Sequence, residues 1–442
     1  MAIGLAEAVK GGVESLSPVK TWGSVDAING GVIRITGISR NARIGDRVMF
    51  QGSERTFGEI IAIAESEALA MPDSGIAGMS PGDRAYLCPP ASVRPCSAWI
   101  GEVISSDGVF LNGAPTPKGE RRMPLAPAGV PATKRRGLGE RLNTGLAPFD
   151  TFLPICKGQR IGIFAGAGVG KSSLIATLAN KMAADVVIIA LIGERSREVR
   201  DFVLDSMGPE GRSRSIVFAS TCDDPAPTKR RCALSAVAAA EYFRDQGLQV
   251  LLLFDSITRY ADAHREIALT AGETPSLRAY PPSTFRELAS LAERTGPGID
   301  GAGDITALFT VLVAGSDMEE PIADMVRSIL DGHFILEREI AERGRFPAVN
   351  IRRSVSRCLP HAATAEENKL LLKARNLIAA YDESSAMIQT GLYAAGSNPT
   401  VDRAIEIWPH LDGFISDEYE SISASFERLD KILGDNNEAA SM

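Results

Sequence analysis

The hydrophobic and polar positions change rhythm three times along the chain. From residue 21 to 89, short runs rich in β-branched and apolar residues alternate with turn residues, at 31–36, 47–51, 59–63, 68–71 and 84–88. Two of these runs open from the same turn, Gly45-Asp46-Arg47 and Gly82-Asp83-Arg84. Closely spaced short strands with turn signals predict a small antiparallel barrel. From residue 158 the runs are longer and continuously apolar, at 160–164, 185–192, 215–220, 249–254 and 305–313, and helical patterns such as 228–246 and 285–294 separate them. Strands buried on both faces and alternating with helices predict a mainly parallel sheet covered on two sides. Beyond residue 361 the period is helical throughout, at 367–380, 402–407 and 416–433, which predicts a C-terminal helical domain. The expected organisation is an arm (1–16), a β-barrel domain (17–92), an α/β domain (93–360) and a helical domain (361–442). Residues 89–145, rich in Pro, Gly and basic side chains, read as a connector with a solvated face, and 1–16 as a weak helical stripe at a frayed terminus.

The chemistry centres on 160–177. The apolar run 161–164 breaks into Ala165-Gly166-Ala167-Gly168-Val169-Gly170, after which Lys171, Ser172 and Ser173 open a helical segment. Strand, glycine-rich loop and helix in this order form a phosphate-binding P-loop. The glycines let backbone N–H groups of 166–170 turn inward toward a phosphate. Lys171 reaches the β- and γ-phosphates, Ser172 offers a hydroxyl to Mg²⁺, and the helix N-terminus favours the anion. Ala165 stands where the strict pattern has Gly. The chain is expected to bind a nucleoside triphosphate.

Two further strands end in carboxylates. The run 249–254 leads into Asp255, the form of a Walker B element whose Asp anchors Mg²⁺ near the P-loop serine. The run 185–192 leads into Gly193-Glu194-Arg195, a carboxylate at the strand edge where ligands bind in open α/β sheets. Residue chemistry alone leaves Glu194 and Arg195 open between a water-orienting carboxylate with a phosphate-binding guanidinium and a surface ion pair.

Composition narrows the field. The 442 residues are 45% hydrophobic and 23% charged with net charge -8, an ordinary soluble balance that disfavours a nucleic-acid protein held by a basic surface. The six cysteines (Cys88, Cys96, Cys156, Cys222, Cys232, Cys358) have no C-x-x-C spacing and the four histidines are dispersed, so neither points to a metal centre. No apolar run approaches the ~18 residues of a membrane span, and cytoplasmic residence is expected.

The segment Pro347-Ala-Val-Asn350 followed by Ser354-Val-Ser356-Arg357 fits the pattern P-[SAP]-[LIV]-[DNH]-x-x-x-S-x-S. With Ile192-Gly-Glu-Arg195, Asp255-Ser-Ile-Thr-Arg-Tyr260, Tyr280-Pro-Pro-Ser283, Ile329-Leu-Asp-Gly-His333 and Gly391-Leu-Tyr-Ala-Ala-Gly396-Ser-Asn-Pro399, it makes the chain resemble the rotary ATPase α/β subunits. The resemblance is stronger to the flagellar protein-export ATPases. It covers nearly the whole chain and is weakest over the first 120 residues. It implies a RecA-like P-loop core and a homohexameric ring that hydrolyses Mg·ATP at subunit interfaces to energise type III protein export. It further implies that Glu194 is the catalytic carboxylate, Arg195 a phosphate contact, Phe346 an adenine-stacking ring and Arg357 an arginine finger offered to a neighbour. Implied partners are a regulatory protein at the N-terminal arm, a central stalk-like protein, chaperone–cargo complexes and a membrane export gate, with no nucleic acid. Location would be the cytoplasmic face of the inner membrane. Asn350 stands where an Asp is common, and the arm is short. The ATPase of a virulence-type secretion apparatus shares every catalytic motif, with the Gly396-Ser-Asn-Pro399 piece tilting toward the flagellar branch. A non-hydrolysing α-type subunit would lack the carboxylate at 194, and an RNA translocase would need an aromatic and basic surface that the N-terminal sequence does not display.

Overall fold

The computed structural model describes residues 21–52, 55–127, 129–276, 279–313 and 318–434. The expected arm, 1–16, lies outside the described residues.

Two compact units divide the chain. The first contains the predicted barrel, closed in the order β1-β2-β5-β4-β3-β6 from β1 (Trp22–Asn29), β2 (Val32–Thr36), β3 (Arg47–Gln51), β4 (Arg55–Ile63), β5 (Glu67–Pro72) and β6 (Arg84–Leu87). Alternate side chains turn inward, and Val25, Ile33, Ile35, Val48, Phe50 and Ile60 meet as its core. Both Gly-Asp-Arg turns are built alike. Gly45 and Gly82 take φ of +90° and +97°, and Asp46 and Asp83 accept backbone N–H bonds from Arg43 and Ser80, each at 2.8 Å. The sequence missed β1 because its apolar–polar alternation breaks at a bulge between Val25 and Ala27. The same compact unit takes in Asp224–Thr228 and Ala263–Pro275, far along the sequence from the barrel strands.

The second unit is built on a mixed, mostly parallel sheet. Its strands are β8 (Val103–Ile104), β10 (Arg160–Ala165), β11 (Val186–Glu194), β12 (Ser215–Thr221), β13 (Val250–Asp255), β15 (Asp304–Leu312), β16 (Gly332–Leu336) and β17 (Val355–Ser356), in the order β17-β16-β10-β15-β13-β11-β12-β8. The short β14 (Gly296–Pro297) pairs with β15, and β7 (Ser92–Val93) with β9 (Met123–Pro124) forms a separate ribbon. Every residue of β11 and β13 is buried, the signature of strands covered on both faces. Because β10, β15, β13 and β11 are parallel, their C-terminal ends fall on one edge of the sheet.

The expected connector is more ordered than its composition suggests. β8 joins the main sheet beside β12, and Trp99 is buried edge-on against Phe218 at 6.1 Å between ring centroids. Its basic residues Lys118, Arg121, Arg122, Lys134 and Arg136 are exposed, as expected, but two arginines of the second cluster also bond to the sheet domain. Arg135 Nη1 donates to the Thr295 carbonyl at 2.7 Å, and Arg136 Nη2 donates to Asp304 Oδ1 at 2.6 Å. Arg136 Nη2 also donates to the carbonyls of Ala302 at 2.8 Å and Gly303 at 3.2 Å, just before β15, which need donors.

Three helices follow, Ala365–Gln389, Pro399–Ser416 and Ile422–Gly434. Thr364 and Glu367 form a reciprocal capping box, and Asn398 accepts from Thr400 N at 2.9 Å to start the second helix. The loop between the first two closes on Asp402, which accepts from Gly396 N at 3.0 Å and Tyr393 Oη at 3.0 Å. Leu371, Ile378, Ile407, Leu411, Phe414 and Leu429 continue the core of the sheet domain into this bundle. Leu253 lies in the middle of that core, 1% exposed. Leu253→Ala is therefore expected to cost about 2–5 kcal/mol, read as a lower urea midpoint at unchanged slope.

Candidate nucleotide site

Three loops leave the same edge of the sheet. After β10, residues 166–170 turn with Gly168 at φ +77° and Gly170 at φ +82°, values that an L side chain rarely adopts. The helix Lys171–Lys181 begins immediately, and Gly170 is its N-cap. Among the described residues, the N–H groups of 166–170 have no hydrogen-bond acceptor. Unpaired donors at a helix N-terminus form an anion site. A Cβ built on Gly170 would lie 2.9 Å from the Phe346 ring, which rests on the loop with 49% of its surface exposed. The loop residues Ala167 and Gly168 and the side chains of Ser172 and Ser173 face solvent, whereas Val169 is buried and anchors the loop to the core.

Lys171 Nζ is bonded to Asp255 Oδ1 and lies 3.9 Å from Glu194 Oε1. Asp255 ends β13 at 3% exposure, and Thr310 on the neighbouring β15 donates its hydroxyl to the same Oδ1 at 2.6 Å. Glu194 reaches the cluster through a bulge. The pairing of β11 with β12 shifts register between Leu191 and Glu194, Gly193 takes φ +64°, and its N–H donates to Ser220 Oγ at 3.1 Å. That one-residue shift changes the face on which the side chain at the end of the strand emerges.

Glu194 is 8% exposed, and its Oε1 has no hydrogen-bond partner among the described residues. Burial, followed by the charge of Asp255, pushes its carboxyl up to about 7, while Lys171 and Arg259 pull the other way. One lysine thus stands between two buried carboxylates, one of them with a free oxygen. The hard oxygen donors of Ser172 and Asp255 fit a Mg²⁺ ion, which takes oxygen ligands and keeps several waters.

Not every expected residue joins the cluster. Arg195 is exposed and pairs with Glu198 at 3.1 Å. Arg357 is exposed and lies on the opposite edge of the sheet. Ser356 pairs with Gly332 at the start of β16, whereas Ala165, the last residue before the P-loop, pairs with Leu336 at its end. Four residues of strand separate the two levels, roughly 13 Å. This guanidinium is out of reach of the P-loop of its own chain.

Comparison with known proteins fits this geometry. Residues 145–356 match the nucleotide-binding domain of the ATP synthase alpha/beta family, and 363–431 match the T3SS EscN ATPase C-terminal domain. The flagellum-specific ATP synthase of Caulobacter vibrioides is 44% identical over 95% of this chain and 98% of its own length. The chain belongs to the flagellum-specific ATPases of the ATP synthase alpha/beta family. The Salmonella typhimurium flagellum-specific ATP synthase is 37% identical over 94% of this chain and 92% of its own. Among solved structures, the assembled ATPase EscN of the enteropathogenic E. coli type III secretion system is 36% identical with a TM-score of 0.86. It covers 93% of this chain and all of its own. EscN in complex with its central stalk EscO gives a TM-score of 0.84 over the same share of both chains.

Two residues of this flagellum-specific ATPase site were not singled out from the sequence. Thr310 sits inside an apolar run and nothing local marks it; only its register opposite Asp255 does. Arg259 lay within the quoted Asp255–Tyr260 motif, but its influence on Glu194 depends on where the helix Ile257–Thr270 places it. Because the folded chain holds the Glu194 proton more tightly than the unfolded chain does, stability falls as pH rises from about 4.5 to about 7. Glu194→Gln mimics the protonated form. Without nucleotide or Mg²⁺, it is expected to raise Tm at pH 8 and to lose that advantage near pH 4.5; an equal Tm at both pH values would contradict the raised carboxyl.

Proposed function

We propose that this chain is the flagellar type III export ATPase, acting as a homohexameric ring that hydrolyses Mg·ATP at subunit interfaces. The observation that carries the reading is the convergence of Lys171, Asp255 and Glu194 at one edge of the sheet, with unpaired P-loop donors beside them. The N–H groups of 166–170 donate to the phosphates, and Lys171 exchanges Asp255 for the β- and γ-phosphate oxygens. Ser172 and Asp255 would hold Mg²⁺, which when bound would neutralise the charge that develops on the phosphates. The free oxygen of Glu194 accepts a proton from a water and aligns it with the γ-phosphorus. Arg195, exposed and paired with Glu198, turns to the γ-phosphate. Phe346 stacks on adenine beside Gly170. Arg357 of the partner subunit supplies the finger, a reading supported by its place at the far edge of the sheet, away from its own P-loop.

Identity of 36–44% to flagellum-specific relatives over most of the chain favours the flagellar branch. A virulence-type role is the second reading, favoured by the likeness to EscN. The buried carboxylate at 194 argues against a non-hydrolysing subunit. Among the described residues no helix is long and apolar enough to cross a membrane, and work at the cytoplasmic face of the export gate would be peripheral. A central stalk protein akin to EscO, chaperone–cargo complexes and a regulatory partner at the arm complete the proposed assembly.

Glu194→Gln should keep nucleotide binding and lose at least ~100-fold in turnover; unchanged hydrolysis would remove the assigned role. Mixing Arg357→Ala chains with Lys171→Ala chains should restore activity at mixed interfaces. Inactive mixed rings at every ratio would overturn the finger.

A further inference from the structure

The segment that carries Phe346 is held by an arginine with no part in the site described so far. Arg345 is 8% exposed, and its Nη2 donates to the Val349 carbonyl at 2.6 Å. That bond closes a short loop with Phe346 on it. The far end of the loop is fixed to the sheet, since Asn350 N donates to the Ile335 carbonyl at 2.8 Å and Asn350 Nδ2 donates to Glu337 Oε2 at 2.8 Å.

The rest of the Arg345 guanidinium points away from the loop. Its Nε faces Asp412 Oδ1 at 3.5 Å, and Asp412 belongs to the helix Pro399–Ser416. At that separation the charges attract but no hydrogen bond forms. Nε, Nη1 and Asp412 Oδ1 are all buried without a hydrogen-bond partner. An approach of about 0.6 Å would bring the pair to bonding distance. Beside it lies a cavity of about 520 Å³ bounded by Ile340, Tyr381, Asp382, Trp408 and Ile415, so the surroundings leave room for that movement. On its other side Phe346 already touches the P-loop at Gly170.

We propose that Arg345 and Asp412 are positioning residues that hold Phe346 against the P-loop and make nucleotide affinity follow the placement of the C-terminal helices. The inference deepens the proposed function and rests on its assignment of Phe346 to adenine. A buried guanidinium bonded to the loop on one side and facing a helix carboxylate on the other is a mechanical link. Moving the helix toward the loop closes the ion pair and seats the ring; moving it away loosens both. Neither side chain is placed on the phosphates or the attacking water, so the link acts on affinity and not on the chemical step.

The test is steady-state hydrolysis by the full chain, with KM for Mg·ATP and kcat measured separately. Asp412→Asn and Arg345→Met are each expected to raise KM roughly three- to tenfold, a part of what one base–aromatic stack contributes, with kcat within about twofold. Arg345→Lys keeps the charge and should recover part of the loss, which a simple packing defect would not predict. The deciding comparison is the Phe346→Ala background. If the pair acts through the ring, adding Asp412→Asn to Phe346→Ala leaves KM where Phe346→Ala put it. Effects that multiply independently, or an unchanged KM in both single variants alongside a raised KM in Phe346→Ala, would overturn the link. An unchanged KM in Phe346→Ala itself would instead remove the adenine assignment, and the link with it.

Discussion

One lysine holds the site together. Asp255 and Glu194 are brought side by side by two neighbouring parallel strands, and like charges this deeply buried repel strongly. Lys171 is the cation between them, bonded to the first and near the second. The arrangement is satisfied electrostatically but incompletely hydrogen-bonded, because one Glu194 oxygen is left over. A site with a lysine that can be drawn away and a carboxylate oxygen without a hydrogen bond is prepared for a polyanion with its own counter-ion. The sheet carries the cost: fully apolar strands on both sides fix the three loops so that the carboxylates cannot separate.

Much of this was legible in the residues. The P-loop is read from its glycines and lysine because backbone approach to phosphate admits few alternatives. Asp255 was readable as the end of an apolar strand and Glu194 as the end of another. Their meeting was not readable, since it depends on strand order β13 beside β11 and on a one-residue shift at Gly193. Thr310 was hidden because a threonine in a buried strand looks like any β-branched residue until its neighbour is known. The bonds of Arg135 and Arg136, beyond their expected exposure, were hidden for the converse reason. A basic pair in a Pro- and Gly-rich stretch has the texture of solvent, and only the carbonyls and carboxylate of 293–304 reveal what it holds. The missed β1 shows the limit of periodicity, as a bulge removes the alternation that marks a strand.

The segment 345–357 combines two tasks that the sequence presents as one motif. Its first half turns toward the P-loop with Phe346, and its second half returns along β17 to the other edge of the sheet, where Arg357 emerges. Asn350 lies between them, accepting from the backbone of Arg352 and Arg353 and donating to Glu337. The amide oxygen accepts these backbone bonds as a carboxylate oxygen would, and the amide nitrogen adds a bond to Glu337 that an ionised carboxylate could not make.

If Arg357 is the finger, as proposed, its place at the opposite edge of the sheet from the P-loop has a consequence for symmetry. Two copies related by a twofold axis would present identical edges to each other and could not complete both pockets. Head-to-tail packing completes one pocket per contact, so any open row of subunits has one fewer working site than it has members. Only closure of the row removes the deficit, and the last subunit to join therefore adds two sites at once.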